Sequence, residues 1–105
     1  MSNKFPPTIC FNDIRINDYI ACRYDEQWWI GLIEEVNKEE EDVKISFLHP
    51  PGPAASFIWP ARKDACFIPI TDLIMKVDTP HTLTGRTYVI KVEEMTKINE
   101  AFLKS

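Results

Sequence analysis

Few residues in this chain could do covalent chemistry. The two histidines, His49 and His81, both sit beside proline and have no ligand partner at helical spacing. Cys10, Cys22 and Cys66 form no C-x-x-C pair of the kind that opens a zinc site, and so few scattered thiols make no disulfide framework. Cys22 alternates with Ile20 and Tyr24, the place of a small buried hydrophobe. Cys10 falls in a looser N-terminal segment. No G-x-S-x-G, P-loop or H-E-x-x-H pattern occurs, and 3 glycines leave little backbone for a phosphate-cradling loop. The sequence therefore predicts a protein that is not an enzyme and that holds no metal and no cofactor.

The aromatic residues carry more information. Tyr24, the pair Trp28-Trp29 and Phe47 fall at the ends of three successive apolar runs, and in a meander of strands those ends meet at one mouth. Ring faces grouped in this way attract a methylated ammonium, because the ring quadrupole favours a cation that has lost its hydrogen-bond donors. Asp25 and Glu26, between Tyr24 and the tryptophans, would add charge suited to a basic peptide. The competing expectation is that the rings simply fill a small core, as large aromatics do in small domains.

The elements that would position these rings follow from periodicity. Residues 19–24, 28–36 and 43–48 alternate as strands, separated by the polar link 25–27 and the acidic turn 37–42. Alternation puts Trp28 and Trp29 on opposite faces, so one of them faces away from the core side. His49-Pro50-Pro51-Gly52-Pro53 then ends pairing, since prolines remove ladder donors. Residues 56–59, including Trp59, could form a short strand, 65–70 a further apolar segment, 71–74 one helical turn and 75–77 a last strand. Several short strands within about sixty residues favour a closed barrel over an open sheet, because closure removes exposed edges. Beyond a linker or extra strand at 78–90, Val92, Met95, Ile98 and Phe102 recur at helical spacing and predict an amphipathic helix at 91–104. Packing of that stripe on the barrel is the expectation, with a homodimer or partner helix as the alternative. Residues 1–16, with Pro6-Pro7, read as an extended arm.

Composition bounds the partners. The chain has 105 residues, 45% hydrophobic and 27% charged, which describes one globular domain. No apolar run approaches the roughly 18–20 residues of a membrane span, and the first ten residues hold no leader-like core, so an intracellular protein is expected. With 12 Lys and Arg against 16 Asp and Glu, the net charge of -4 disfavours direct nucleic-acid binding and suits a basic peptide. The acidic run at 39–42 reads as a solvated hairpin tip.

The stretch 18–36 (DYIACRYDEQWWIGLIEEV), with 43–47 (VKISF) and 70–74 (ITDLI), resembles the Tudor and PWWP domains of the Royal superfamily across about 17–77. The resemblance implies a mainly β fold: a small SH3-like, Tudor-like five-stranded barrel, here with an inserted loop at about 49–65 and the C-terminal amphipathic α-helix. It implies a non-catalytic, nuclear, chromatin-type reader or adaptor for methylated lysine or arginine, as in a histone tail or an Arg-rich segment. Its cage positions fall on Tyr24, Trp29 and Phe47, with Asp25 adjacent. The next aromatic position of the pattern falls on Pro50 and the following polar one on Gly52, leaving Trp59 of the insertion as a substitute ring. PWWP domains place proline after the Trp pair, where this chain has Ile30. Two other functions fit the same elements: a protein-assembly or dimerisation domain without methyl recognition, and an SH3-like DNA-binding module of the kind found beside integrases and transposases.

Overall fold

The computed structural model describes residues 9–104. The Pro6-Pro7 portion of the expected arm lies outside the described residues. Strands β1 (Tyr19–Tyr24), β2 (Gln27–Asn37) and β3 (Asp42–Phe47) form the antiparallel meander that alternation predicts. Asp25 and Glu26 make the first turn with φ of 56° and 63°. Two consecutive left-handed residues give the mirror-image turn whose twist matches that of the strands it joins. At the second turn only Glu41 is left-handed, with φ 59°.

β4 (Phe57–Ile58) lies in the insertion and pairs with β7 (Thr87–Tyr88), apart from the main sheet. β5 (Ala65–Pro69) pairs with β3, and β6 (Leu73–Val77) pairs with β1, so the sheet runs β5-β3-β2-β1-β6. Its two edges are consecutive in the chain, joined by the 3-10 turn Ile70–Asp72. In a flat sheet strands four places apart would stand about 19 Å apart, at about 4.8 Å per neighbour. Four Cα steps reach only about 14 Å. The sheet therefore coils until its edges approach, helped by bulges at Glu34 in β2 and Ile74 in β6 that sharpen the local twist.

No ladder joins β5 to β6, however, so the five-stranded sheet stays open along the edges where the sequence predicts closure into a barrel. Pro69 ends β5 without an amide hydrogen to offer, and the 3-10 turn takes the next residues out of extended geometry.

Two apolar cores result. The concave face buries Ile20, Cys22, Trp29, Ile33, Val43, Ile45, Phe47, Ile68 and Leu73. Ile14 seals it from the N-terminal side, with Ile9 and Phe11 packed alongside, so the second half of the expected arm docks. Burial pushes the Cys22 thiol strongly up, with Cys66 and Asp72 adding repulsion, which makes it a packing group and not a nucleophile.

The convex face is also covered. Ala21, Trp28, Ile30, Leu48, Phe57, Val77, Ile90 and Ile98 form a second buried cluster beneath the helix α1 (Val92–Lys104) and the small β4–β7 sheet. Met95 and Phe102 pack against this cluster beside the fully buried Ile98, so three residues of the expected stripe cover the helix's own sheet, while Val92 stays exposed. Trp28 donates its indole N–H to Asn99 Oδ1 at 2.8 Å, and Arg23 lies 4.3 Å over the Phe102 ring while donating to the Phe102 carbonyl at 3.1 Å. On its other side Trp28 meets Gly52, whose N–H bonds the Trp28 carbonyl at 2.8 Å; a Cβ on Gly52 would enter the indole ring. The tryptophan that faces away from the first core thus centres a second one. Among the described residues no helix is long and apolar enough to cross a membrane.

Candidate functional site

The β1–β2 turn places Tyr24 at the last position of β1 and Trp29 at the start of the inward-facing register of β2. Gly31 pairs with Phe47, which brings the end of β3 to the same place. The three rings meet there. Tyr24 and Phe47 stack with centroids 5.6 Å apart and planes 20° from parallel, and Trp29 lies 5.3 Å from Phe47 at 41°. Phe47, sandwiched between the other two, is 1% exposed, whereas Tyr24 is 46% exposed and presents its outer face at the surface. Trp29 is locked by its indole N–H, which donates to the Tyr24 carbonyl at 3.0 Å. The same bond fixes the turn that carries Asp25, which is exposed.

Sequence reasoning missed a fourth ring. His49 packs edge-on against Trp29 at 5.1 Å and 60°, and its Nε2 lies 2.7 Å from Asp64 Oδ2. The signal was available: His49 stands two residues beyond Phe47, the end of β3, so continued extended backbone puts both on one face. His49 also exchanges both backbone hydrogen bonds with Ile58, at 2.8 and 2.7 Å, and so pins the insertion beside the mouth.

Trp59 lies elsewhere. Its ring belongs with the convex cluster and meets Tyr88 edge to face at 6.4 Å, on the opposite side of the sheet from Trp29 and Phe47. The structure therefore assembles Tyr24, Trp29 and Phe47, adds His49, and leaves Trp59 apart.

No family model, curated protein or solved structure matches this chain. The site is therefore read from its own chemistry. Among the described residues no cluster of His, Cys, Asp and Glu is arranged to hold a metal.

A second polar group stands near Trp59. The bulge between Ile33 and Glu35 inserts Glu34 into β2 and turns its carboxylate toward the convex side. It accepts from the hydroxyl of the buried Ser46 and lies 2.6 Å from the Lys63 ammonium. The Lys63 hydrogen bond first, then that of Ser46, holds the Glu34 carboxyl below its usual range.

The stability linked to Glu34 is accordingly present above the ordinary carboxylate range and is lost as pH falls through the lowered folded value. In Lys63→Ala the Glu34 midpoint should rise toward the ordinary value, followed by carboxyl carbon shifts against pH. At neutral pH that variant should lose no more than about 1 kcal/mol, as for an ion pair whose cation is mostly in solvent. A midpoint unmoved by the substitution would show that Ser46 alone sets it.

Proposed function

We propose that this chain is a non-catalytic recognition module of the Tudor-like, SH3-like barrel type that binds a methylated lysine or arginine side chain of a basic peptide at the mouth formed by Tyr24, Trp29 and Phe47. The observation that carries the reading is the convergence of these rings at one end of the concave face, with Tyr24 half-exposed over a buried pair. The strand order, with consecutive edge strands brought together by coiling, supports the kinship with SH3-like barrels. Asp25 supplies charge at the rim, and the net charge of -4 favours a basic partner.

Tyr24 stacks on Phe47, and rotation about its first side-chain torsion would open a slot floored by Phe47 and walled by Trp29 and by the turned Tyr24 ring itself. A trimethylammonium enters because it has a low hydration cost and gains two or three ring faces. An unmodified ammonium would leave its strongly hydrated N–H groups unpaired against the rings. A module of this kind works in chromatin or RNA-processing assemblies, where methylated basic tails are displayed.

Titration with histone-tail peptides bearing trimethyllysine or dimethylarginine, alongside unmodified peptides, tests this. The Trp29 indole and Tyr24 ring resonances should shift with a methylated peptide, and Tyr24→Ala should weaken binding about tenfold, the worth of one desolvated cation–ring contact. Equal affinity for modified and unmodified peptides, or no shift at either residue, ends the methyl-recognition reading.

A further inference from the structure

A cleft on the described surface lies away from the aromatic mouth. It is an open depression of about 300 Å³ on the convex side, lined by Leu32, Trp59, Pro60 and Ala61 together with Glu34, Ser46, Lys63 and Asp64. Its apolar walls come from the strand β2 and from the loop that leaves the insertion. Its polar end is built with more care than a surface salt bridge requires. Glu34 occupies a bulge, so one extra residue in β2 aims this carboxylate at the cleft. Ser46, at 4% exposure, is a buried hydroxyl whose partner is that same carboxylate. The cation that completes the set, Lys63, is 62% exposed along its side chain, while Glu34 is 23% exposed. The anion is thus fixed by the sheet, and the cation is an exposed surface chain resting on it.

We propose that this cleft receives the side chain of an arginine from a basic partner, with Glu34 accepting the guanidinium, Trp59 supplying an aromatic wall, and Lys63 acting as a tethered occupant that the arginine displaces. Charge argues for the occupant. Glu34 is paired with Lys63, so a group that displaces Lys63 must itself be a cation, and Asp64 adds a second carboxylate to the lining. Geometry argues for arginine over lysine. A planar guanidinium bonds a carboxylate through two parallel N–H groups and lies against an aromatic ring at once, whereas an ammonium does one or the other. The methylene stem of the arginine takes the apolar wall of Leu32, Pro60 and Ala61. This site has its own lining residues and is joined to the aromatic mouth through the His49–Asp64 pair.

The three tryptophans give three indole cross-peaks, so the two sites report separately, Trp29 for the mouth and Trp59 for the cleft. The probes are acetylated, amidated tri-arginine, tri-lysine and tri-citrulline. Tri-arginine should shift the Trp59 indole saturably, tri-lysine should bind about tenfold more weakly for want of the bidentate contact, and neutral tri-citrulline should leave the peak in place. Glu34→Gln, which keeps the shape of the side chain, should weaken tri-arginine about tenfold. Lys63→Ala should strengthen it about threefold or more, since no internal cation has to be displaced. That second variant moves in the direction opposite to any loss of folding, so an unstable Glu34→Gln leaves the question decidable. Equal binding of tri-lysine and tri-arginine, or Lys63→Ala weakening or leaving unchanged the tri-arginine affinity, overturns the proposal. A Trp59 response with no Trp29 response to methylated peptides would keep the cleft and discard the mouth; the reverse would do the opposite.

Discussion

Trp28→Ala should cost about 3–5 kcal/mol, the range for removing a large buried aromatic from a packed core. The total stability of a domain of this kind is about 5–15 kcal/mol, so the variant should stand near its unfolding threshold at ambient temperature. The reason is position as much as size. Trp28 is 1% exposed and touches three elements at once: β2 itself, the proline-rich insertion through Gly52, and α1 through Asn99. Removing the indole leaves a cavity that the rigid insertion cannot collapse into, since Pro50, Pro51 and Pro53 restrict its backbone. Trp28→Phe keeps most of the packing and loses the bond to Asn99, for about 1 kcal/mol. Urea unfolding followed by circular dichroism separates the cases. A Trp28→Ala midpoint within error of the parent would mean that the convex cluster contributes little to the fold.

Gly31→Ala should cost about 2–3 kcal/mol, an overpacking effect at the upper part of the usual range. Gly31 lies between Trp29 and Ile33 on the concave face, where β2 and β3 approach closely as the sheet coils. A Cβ there would run into the Ile45 side chain and would sit 2.6 Å from the Ser46 carbonyl oxygen. The side chain of Ile45 has some freedom; the Ser46 carbonyl belongs to the sheet backbone and has little. Relief requires β3 to move away, and β3 carries both Phe47 of the mouth and Ser46 of the cleft. The substitution should therefore lower the urea midpoint and shift the Trp29 and Trp59 indole resonances together. A stability change below about 0.5 kcal/mol would show that the strands have slack at this crossing.

The strands were legible because alternation is strict in them. β1 stands where the pattern puts it, and β2 and β3 differ from expectation by a residue or so at their ends. The helix was legible for the same reason, through Met95, Ile98 and Phe102 at helical spacing. What alternation conceals is a strand covered on both sides. Residues 28–31 are all buried, so nothing in their types tells which tryptophan serves which core. The bulge at Glu34 is concealed too, because a one-residue insertion reads locally as continued polarity, although Ile33 and Val36 facing the same core three positions apart bear its trace. Of the candidate mouth, Tyr24, Trp29 and Phe47 come together because each ends or begins a strand in register. Trp59 could not be placed from sequence, since the direction of a loop that contains several prolines depends on where its far end is pinned. That pin is the pairing of His49 with Ile58, a contact between a strand end and a two-residue strand.

The bond between Trp28 and Asn99 joins residues 71 positions apart. On the ribosome, at about 5–20 residues per second, that separation corresponds to roughly 4–14 s between synthesis of the indole and of the helix that shelters it. The meander of β1 to β3 can form early in that interval, but its convex side must wait as exposed aliphatic and aromatic surface. Until α1 emerges that face of the nascent chain stays uncovered, and arrival of the helix closes the second core.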